Sequence, residues 1–160
     1  SLKEEFLSVK EKFVGEAAPW EAKVDGSVLF ENEEVVTIIL ESYIFTGGAH
    51  GYGSTTFLNF DKLKGNQLTN DELFIDKDAF IKLAENRFRT QEEIPLDVPI
   101  NDTGFMFEAE EYTLPLNIGF TTNGLKLLYN AYEVASYADG QIEVILPYTE
   151  INEFLRYKIK

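Results

Sequence analysis

The run Val35–Phe45, VVTIILESYIF, constrains the fold more than any other stretch of the chain. β-Branched and aromatic side chains crowd it, which suits a pleated surface, and much of it is apolar on both faces. It predicts a strand placed centrally in an antiparallel sheet. It runs into Thr46-Gly47-Gly48-Ala49-His50-Gly51-Tyr52-Gly53, which carries the chain's only histidine and four of its eleven glycines. Strand character resumes over residues 54–61, where Thr56, Leu58 and Phe60 alternate with Phe57 and Asn59.

The flanking segments supply the rest of a layered fold. Residues 2–14 read as an amphipathic helix, with Leu2, Phe6, Val9 and Phe13 on one stripe and Lys3, Glu4, Lys10 and Glu11 on the wet side. Residues 20–30 read as a strand bent at Asp25-Gly26, and residues 31–34 as the turn that follows it. Gly65 supplies a positive φ to a turn over residues 62–66. Residues 69–74 make one helical turn capped by Thr69 or Asn70. A helix over residues 78–90 buries Phe80, Leu83, Ala84 and Phe88. Pro95 and Pro99 mark residues 92–104 as a loop or edge segment. Residues 105–107 read as a short strand, and residues 112–120 and 125–130 as a hairpin around Thr122-Asn123-Gly124. Residues 131–140 are irregular. Residues 141–147 form a strand with Ile142, Val144 and Leu146 on one face. Residues 148–157 close the chain as a helix capped by Thr149, with Ile151, Phe154 and Leu155 turned inward. Hairpin signals outnumber βαβ spacings, so the expected fold is α+β: a largely antiparallel sheet with about three helices packed on it. A length of 160 residues suits one domain.

Charge narrows the partners. With 28 acidic and 14 basic side chains the net charge is −14. Such a chain repels nucleic-acid phosphates and anionic membrane surfaces and draws in basic partners. The absence of cysteine excludes disulfides and thiolate metal sites. No apolar run approaches the ~20 residues of a membrane helix, and no signal peptide is visible. Starting at Ser1, the chain reads as a processed or trimmed product, with any export signal or anchor upstream.

Two loops hold the candidate site residues. His50 is of a residue type that serves as a general base, here for Ser54, with Gly47 and Gly48 as backbone oxyanion donors. Its other reading is a hydrogen-bonding residue of a tight glycine loop, and the nucleophile-elbow pattern is absent. The glycines lack a Walker lysine and a G-x-G-x-x-G spacing, which leaves a turn or bulge. Asp102-Thr103-Gly104 matches the short string of aspartic proteases, but a turn explains it as well. The carboxylates follow no EF-hand order, and one histidine without cysteine makes a poor zinc site. No metal or cofactor is expected. In the second loop, Tyr132 and Tyr137 are interface anchors if exposed and edge-of-core residues if not, with Asp139 and Gln141 beside them.

Thr46-Gly47-Gly48-Ala49-His50-Gly51, then Leu58-Asn59-Phe60-Asp61, then Leu68-Thr69-Asn70-Asp71-Glu72-Leu73-Phe74 resemble a bacterial extracytoplasmic domain of unknown function. That domain occurs in RsiV-type anti-sigma factors, beside PdaC-type polysaccharide deacetylases, and in secreted or lipid-anchored envelope proteins. Tyr129-Asn130-Ala131-Tyr132-Glu133-Val134-Ala135, Tyr137-Ala138-Asp139-Gly140 and Ile145-Leu146-Pro147-Tyr148-Thr149-Glu150-Ile151 are similar to its closing motif. The resemblance spans residues 20–155, with residues 1–19 as the remnant of a preceding region. It implies a location outside the cytoplasmic membrane, no established catalytic residues and, in the anti-sigma branch, recognition of the basic protein lysozyme. The transmembrane and sigma-binding segments of that branch are not in this sequence. The expectation is a non-catalytic binding module for lysozyme, another cell-wall hydrolase or a cell-wall glycan. Gly47, Gly48, His50, Tyr52, Tyr132, Tyr137, Asp139 and Gln141 form its binding surface. A hydrolase built on His50 and an accessory structural domain of an envelope lipoprotein are the alternatives.

Overall fold

Three long strands follow one another from residue 21, and each turns back beside the last. In a computed structural model that describes residues 20–48 and 50–160, β1 (Glu21–Glu31), β2 (Val35–Phe45), β3 (Tyr52–Asp61) and the two-residue β4 (Gln67–Leu68) form an antiparallel meander in that spatial order. The Asn32 Oδ1 accepts the N–H groups of Glu34 and Val35, both at 2.9 Å, and so turns β1 into β2. The Asp61 Oδ1 does the same for Leu63 and Lys64 at 2.9 and 2.8 Å, and Gly65 completes that turn with φ +74°. The helix expected over residues 2–14 lies outside the described residues.

A second antiparallel sheet follows, built of β5 (Asn117–Phe120), β6 (Leu125–Tyr129) and β7 (Ile142–Leu146). The expected hairpin at residues 122–124 forms, although its first strand begins only at Asn117. Helix α1 (Lys77–Gln91) is capped by Asp76, whose Oδ1 accepts the Ala79 N–H at 3.1 Å. It packs on β7 and sinks Phe80, Ala84 and Phe88 into the core. The Phe88 ring lies 5.1 to 5.7 Å from the rings of Phe105, Phe107, Tyr112 and Tyr129, mostly edge to face. Buried Arg89 ties the following loop to the helix by donating to the carbonyls of Pro95 and Val98.

Several expectations are corrected. Two sheets stand where one was expected. Among the described residues there are two α-helices, not three, and the second, α2 (Tyr148–Ile151), is a single turn. It has Pro147 rather than Thr149 at its N-cap and gives way to a 3-10 turn at Asn152–Phe154. The chain cannot continue as a helix there because Leu155 bridges to Phe74, and Asn152 holds the Ile159 backbone from both sides. Residues 105–107 are not a strand: Asn101 takes both the N–H and the carbonyl of Phe107, each at 2.8 Å. β1 is irregular between Val28 and Phe30 rather than bent at Asp25-Gly26. The extra residue there, Leu29, turns Phe30 toward Phe120 of the second sheet, with ring centroids 6.1 Å apart.

The two sheets meet along a polar seam. Thr37, Thr55, Asn59 and Asn117 are all buried. The Thr37 hydroxyl donates to Asn59 Oδ1 at 2.6 Å and accepts the Phe120 N–H at 3.1 Å. The Asn59 amide donates to the Ile118 carbonyl at 2.7 Å, and Asn117 Oδ1 accepts the Phe57 N–H at 3.0 Å. Side chains thus satisfy backbone groups that a strand ladder would otherwise occupy. Gly119 permits the approach, since a Cβ there would lie 2.9 Å from the Phe57 ring and 3.0 Å from the Thr37 methyl.

Candidate functional site

At the far end of β3 the seam becomes a platform for two loops. One joins β2 to β3, with Gly47 at φ +85° supplying a turn that other residues resist. The other runs from Asn130 to Gln141 and joins β6 to β7. Asn130 holds Thr55 by its main-chain N–H and carbonyl, at 2.9 and 2.8 Å. Gln141 donates to Thr55 Oγ1 at 2.9 Å and to Asn130 Oδ1 at 3.0 Å. Glu133 accepts the N–H groups of Asn130 and Leu116, at 2.9 and 3.1 Å, and so fixes the start of the second loop.

Four rings line up on this platform. His50 lies 5.6 Å from Tyr137, Tyr137 is stacked on Tyr132 at 5.3 Å, and Tyr132 lies 6.5 Å from Tyr52. The row faces solvent: Tyr52 is 55% exposed, Tyr132 56% and Tyr137 40%. The Tyr137 hydroxyl donates to the Gly51 carbonyl at 3.4 Å, so the two loops touch directly. Tyr132 sits at φ +70°, a left-handed backbone that bulky side chains avoid. The hydrogen bond from the Glu133 N–H to the Asn130 carbonyl, at 3.0 Å, closes the turn that imposes it.

Of the eight residues expected at the site, the structure brings His50, Tyr52, Tyr132 and Tyr137 into this one row. Gly47 shapes the loop beneath it, and Gly48 lies exposed in the same loop with open space around its Cα. Asp139 and Gln141 do other work. Asp139 accepts from the Ser136 N–H at 3.1 Å and pairs with the Ser136 hydroxyl at 2.5 Å, capping the turn Tyr137–Asp139. Gln141 locks the loop to β3. Both also border a cleft of about 290 Å³, whose rim includes Glu92, Gly104 and Glu143. Three of these are carboxylates, so the cleft favours cations. The Ser54 hydroxyl lies 2.7 Å from that of Ser42 on the neighbouring strand, and the His50 ring rests against Tyr137.

Sequence reasoning missed three contributors. The Tyr43 ring occupies the space where a side chain on Gly51 would project, which explains that glycine. Asn130 and Thr55 bind the loops to the sheet. The signal for Tyr43 was its place at the end of β2 opposite Gly53; Asn130 gave no signal, because its partner lies 75 residues away.

The family model described as "Protein of unknown function (DUF3298)" matches residues 67–149. A model described as "Deacetylase PdaC" matches residues 2–52. Among solved structures, the chain is similar to a DUF3298 family protein from Pseudomonas aeruginosa PAO1, with a TM-score of 0.72 and 25% identity over 95% of this chain and 70% of that one. It is also similar in fold to a member of the family from Bacteroides fragilis NCTC 9343, with a TM-score of 0.72 and 22% identity over 98% of this chain and 63% of that one. No curated protein matches the chain.

Proposed function

The chain belongs to the DUF3298 family, a name that carries no activity, and we propose that it is a non-catalytic extracytoplasmic binding module of a bacterial envelope protein. The observation that carries this reading is the exposed row His50–Tyr137–Tyr132–Tyr52. Tyrosine rings offer large contact area with few rotamers to freeze, and stacking on one another holds them ready before a ligand arrives. The backbone strain at Tyr132 supports the same reading, since left-handed bulky residues persist where the surroundings impose them, often at ligand sites.

The ligand is a basic cell-wall hydrolase of the lysozyme kind. A net charge of −14 steers such a protein toward the chain, and the rings supply the short-range contact that charge alone lacks. The resemblance of Thr46–Gly51 and of the closing motif to RsiV-type receptors supports a place in the bacterial envelope.

Calorimetry with a c-type lysozyme, at low and at moderate salt, tests this. The expected result is saturable binding that survives moderate salt and weakens at least about tenfold in Tyr132→Ala and Tyr137→Ala, as central aromatic anchors do. Binding that disappears with salt, or that ignores both substitutions, would overturn the reading. Binding of muropeptides instead of lysozyme would move the ligand to the cell-wall glycan.

A further inference from the structure

Eight tyrosines are spread through the chain, and their surroundings divide them. Tyr112 and Tyr129 are buried. The hydroxyls of Tyr148 and Tyr157 are engaged inside the fold, by the Thr121 carbonyl and the Asp61 carboxylate. Tyr43, Tyr52, Tyr132 and Tyr137 are exposed. Of these four, only Tyr132 and Tyr137 are stacked among the described residues, with centroids 5.3 Å apart and planes inclined by 26°. Tyr52 and Tyr132 stand at 6.5 Å and 41°. The stacked pair is set by its own loop. The left-handed backbone at Tyr132 aims one ring, and the turn Tyr137–Asp139, closed by Ser136 and Asp139, aims the other.

We propose that Tyr132 and Tyr137 form an oxidative cross-linking site, at which a haem peroxidase using hydrogen peroxide joins the two phenols into a biphenol. The oxidised haem takes one electron and one proton from each hydroxyl and leaves two phenoxyl radicals. A carbon–carbon bond then forms between the ring positions ortho to the two oxygens. The hydrogens on those two carbons pass to the oxygens and restore both phenols. The protein loses two hydrogen atoms in all, and these reduce one hydrogen peroxide to two waters. Phenoxyl radicals couple through a face-to-face pair that spreads the unpaired electrons over both rings, and the loop holds that arrangement before any oxidation. Partners held in near-reactive geometry react far faster than partners that must meet by diffusion, so coupling within the loop outruns coupling between molecules. An exposed phenol gives up its electron at the protein surface, which leaves Tyr112 and Tyr129 out of reach. The bond braces the loop across its left-handed turn and fixes two members of the aromatic row, whatever that row binds.

Treating the intact 160-residue chain, at high dilution, with a plant haem peroxidase and limiting hydrogen peroxide tests this. The expected product is a monomer lighter by two hydrogen atoms, with the fluorescence of a biphenol. Trypsin releases both residues in one peptide, 127–156, because no lysine or arginine lies between Lys126 and Arg156. Fragmentation of that peptide should be silent between Tyr132 and Tyr137. Tyr132→Phe and Tyr137→Phe each keep a ring in the stack but remove a phenol, so either should abolish the monomeric product, while Tyr43→Phe should leave its yield unchanged. A product that persists in Tyr132→Phe would overturn the proposal, as would a cross-link to Tyr43 or Tyr52. Cross-linked dimers in place of the monomeric product, or oxidation with no cross-link, would overturn it as well.

Discussion

Asn130 holds the backbone of Thr55 with both ends of its amide: Oδ1 accepts the Thr55 N–H at 2.9 Å, and Nδ2 donates to the Thr55 carbonyl at 2.8 Å. One side chain 75 residues away thereby takes the place of a neighbouring strand. Removing it strands two main-chain groups in a part-buried site. Asn130→Ala should lower the unfolding free energy by about 2–3 kcal/mol, the range for orphaned polar groups. Denaturant titration reads this directly. A loss under about 0.5 kcal/mol would mean that water replaces the amide without penalty.

Tyr132 predicts an inverted ranking of two substitutions. At most sites alanine is more stabilising than glycine. At φ +70° the left-handed backbone disfavours alanine by about 1–2 kcal/mol, partly offset by the larger unfolded-state freedom of glycine. Tyr132→Gly should therefore be more stable than Tyr132→Ala by roughly 0.5–1 kcal/mol, while both lose the ring. Melting of the pair side by side decides it, and alanine ranking first would contradict the backbone described here.

Alkaline titration should unfold the protein early. Burial pushes the Tyr148 phenol up to about 12, and burial together with the Asp61 carboxylate does the same for Tyr157. Burial raises Tyr112 and Tyr129 as well. A raised folded-state value means that these groups contribute stability in full below the ordinary phenol range near 10, and lose it as pH climbs toward 12. The melting temperature should fall steadily across that window, with phenolate absorbance appearing late and together with unfolding. Tyr148→Phe should flatten part of the fall.

Acid acts through the other end of the Tyr157 contact. The Lys64 N–H, then the Tyr157 hydroxyl at 2.7 Å, hold the Asp61 carboxyl below the ordinary carboxylate value. Stability from this group is complete above that ordinary value, near 4, and is lost as pH falls through the lower folded-state one. Tyr157→Phe removes one of the donors. Its carbon-13 titration should show Asp61 moved back toward an ordinary aspartate, and an unchanged midpoint would show that the phenol contributes nothing.

The parts of this fold that were legible are those written in local periodicity. β2 announces itself as a strand by its β-branched and aromatic run, although only Val35 and Thr37 of it are buried, while the alternation of Ile142, Val144 and Leu146 and the Phe80–Ala84–Phe88 stripe carry their burial in their spacing. The division into two sheets was not legible. Its markers are Thr37, Asn59 and Asn117, polar residues on a strand face, which by alternation alone read as a wet surface. They are buried because each finds a main-chain partner 59 to 83 residues away. The failed strand at residues 105–107 has the same origin, since nothing in that run announces that Asn101 will take its backbone groups. At the site, the aromatic residues were visible as residue types in glycine-rich and irregular loops. Their alignment in one row was not, because it depends on Asn130 and on the left-handed turn at Tyr132.

The polar seam also bears on the order in which the molecule can be made. The meander of β1 to β3 closes through local turns and can assemble while the second sheet is still unsynthesised, whereas the seam must wait for distant sequence. During that wait the half-finished protein shows hydroxyls and amides set among the rings of Phe30 and Phe57 on the side where its partner will later dock. A growing chain with such a waiting face stays hydrated among its neighbours, and the contact that completes the fold is also one that an unrelated greasy surface cannot imitate.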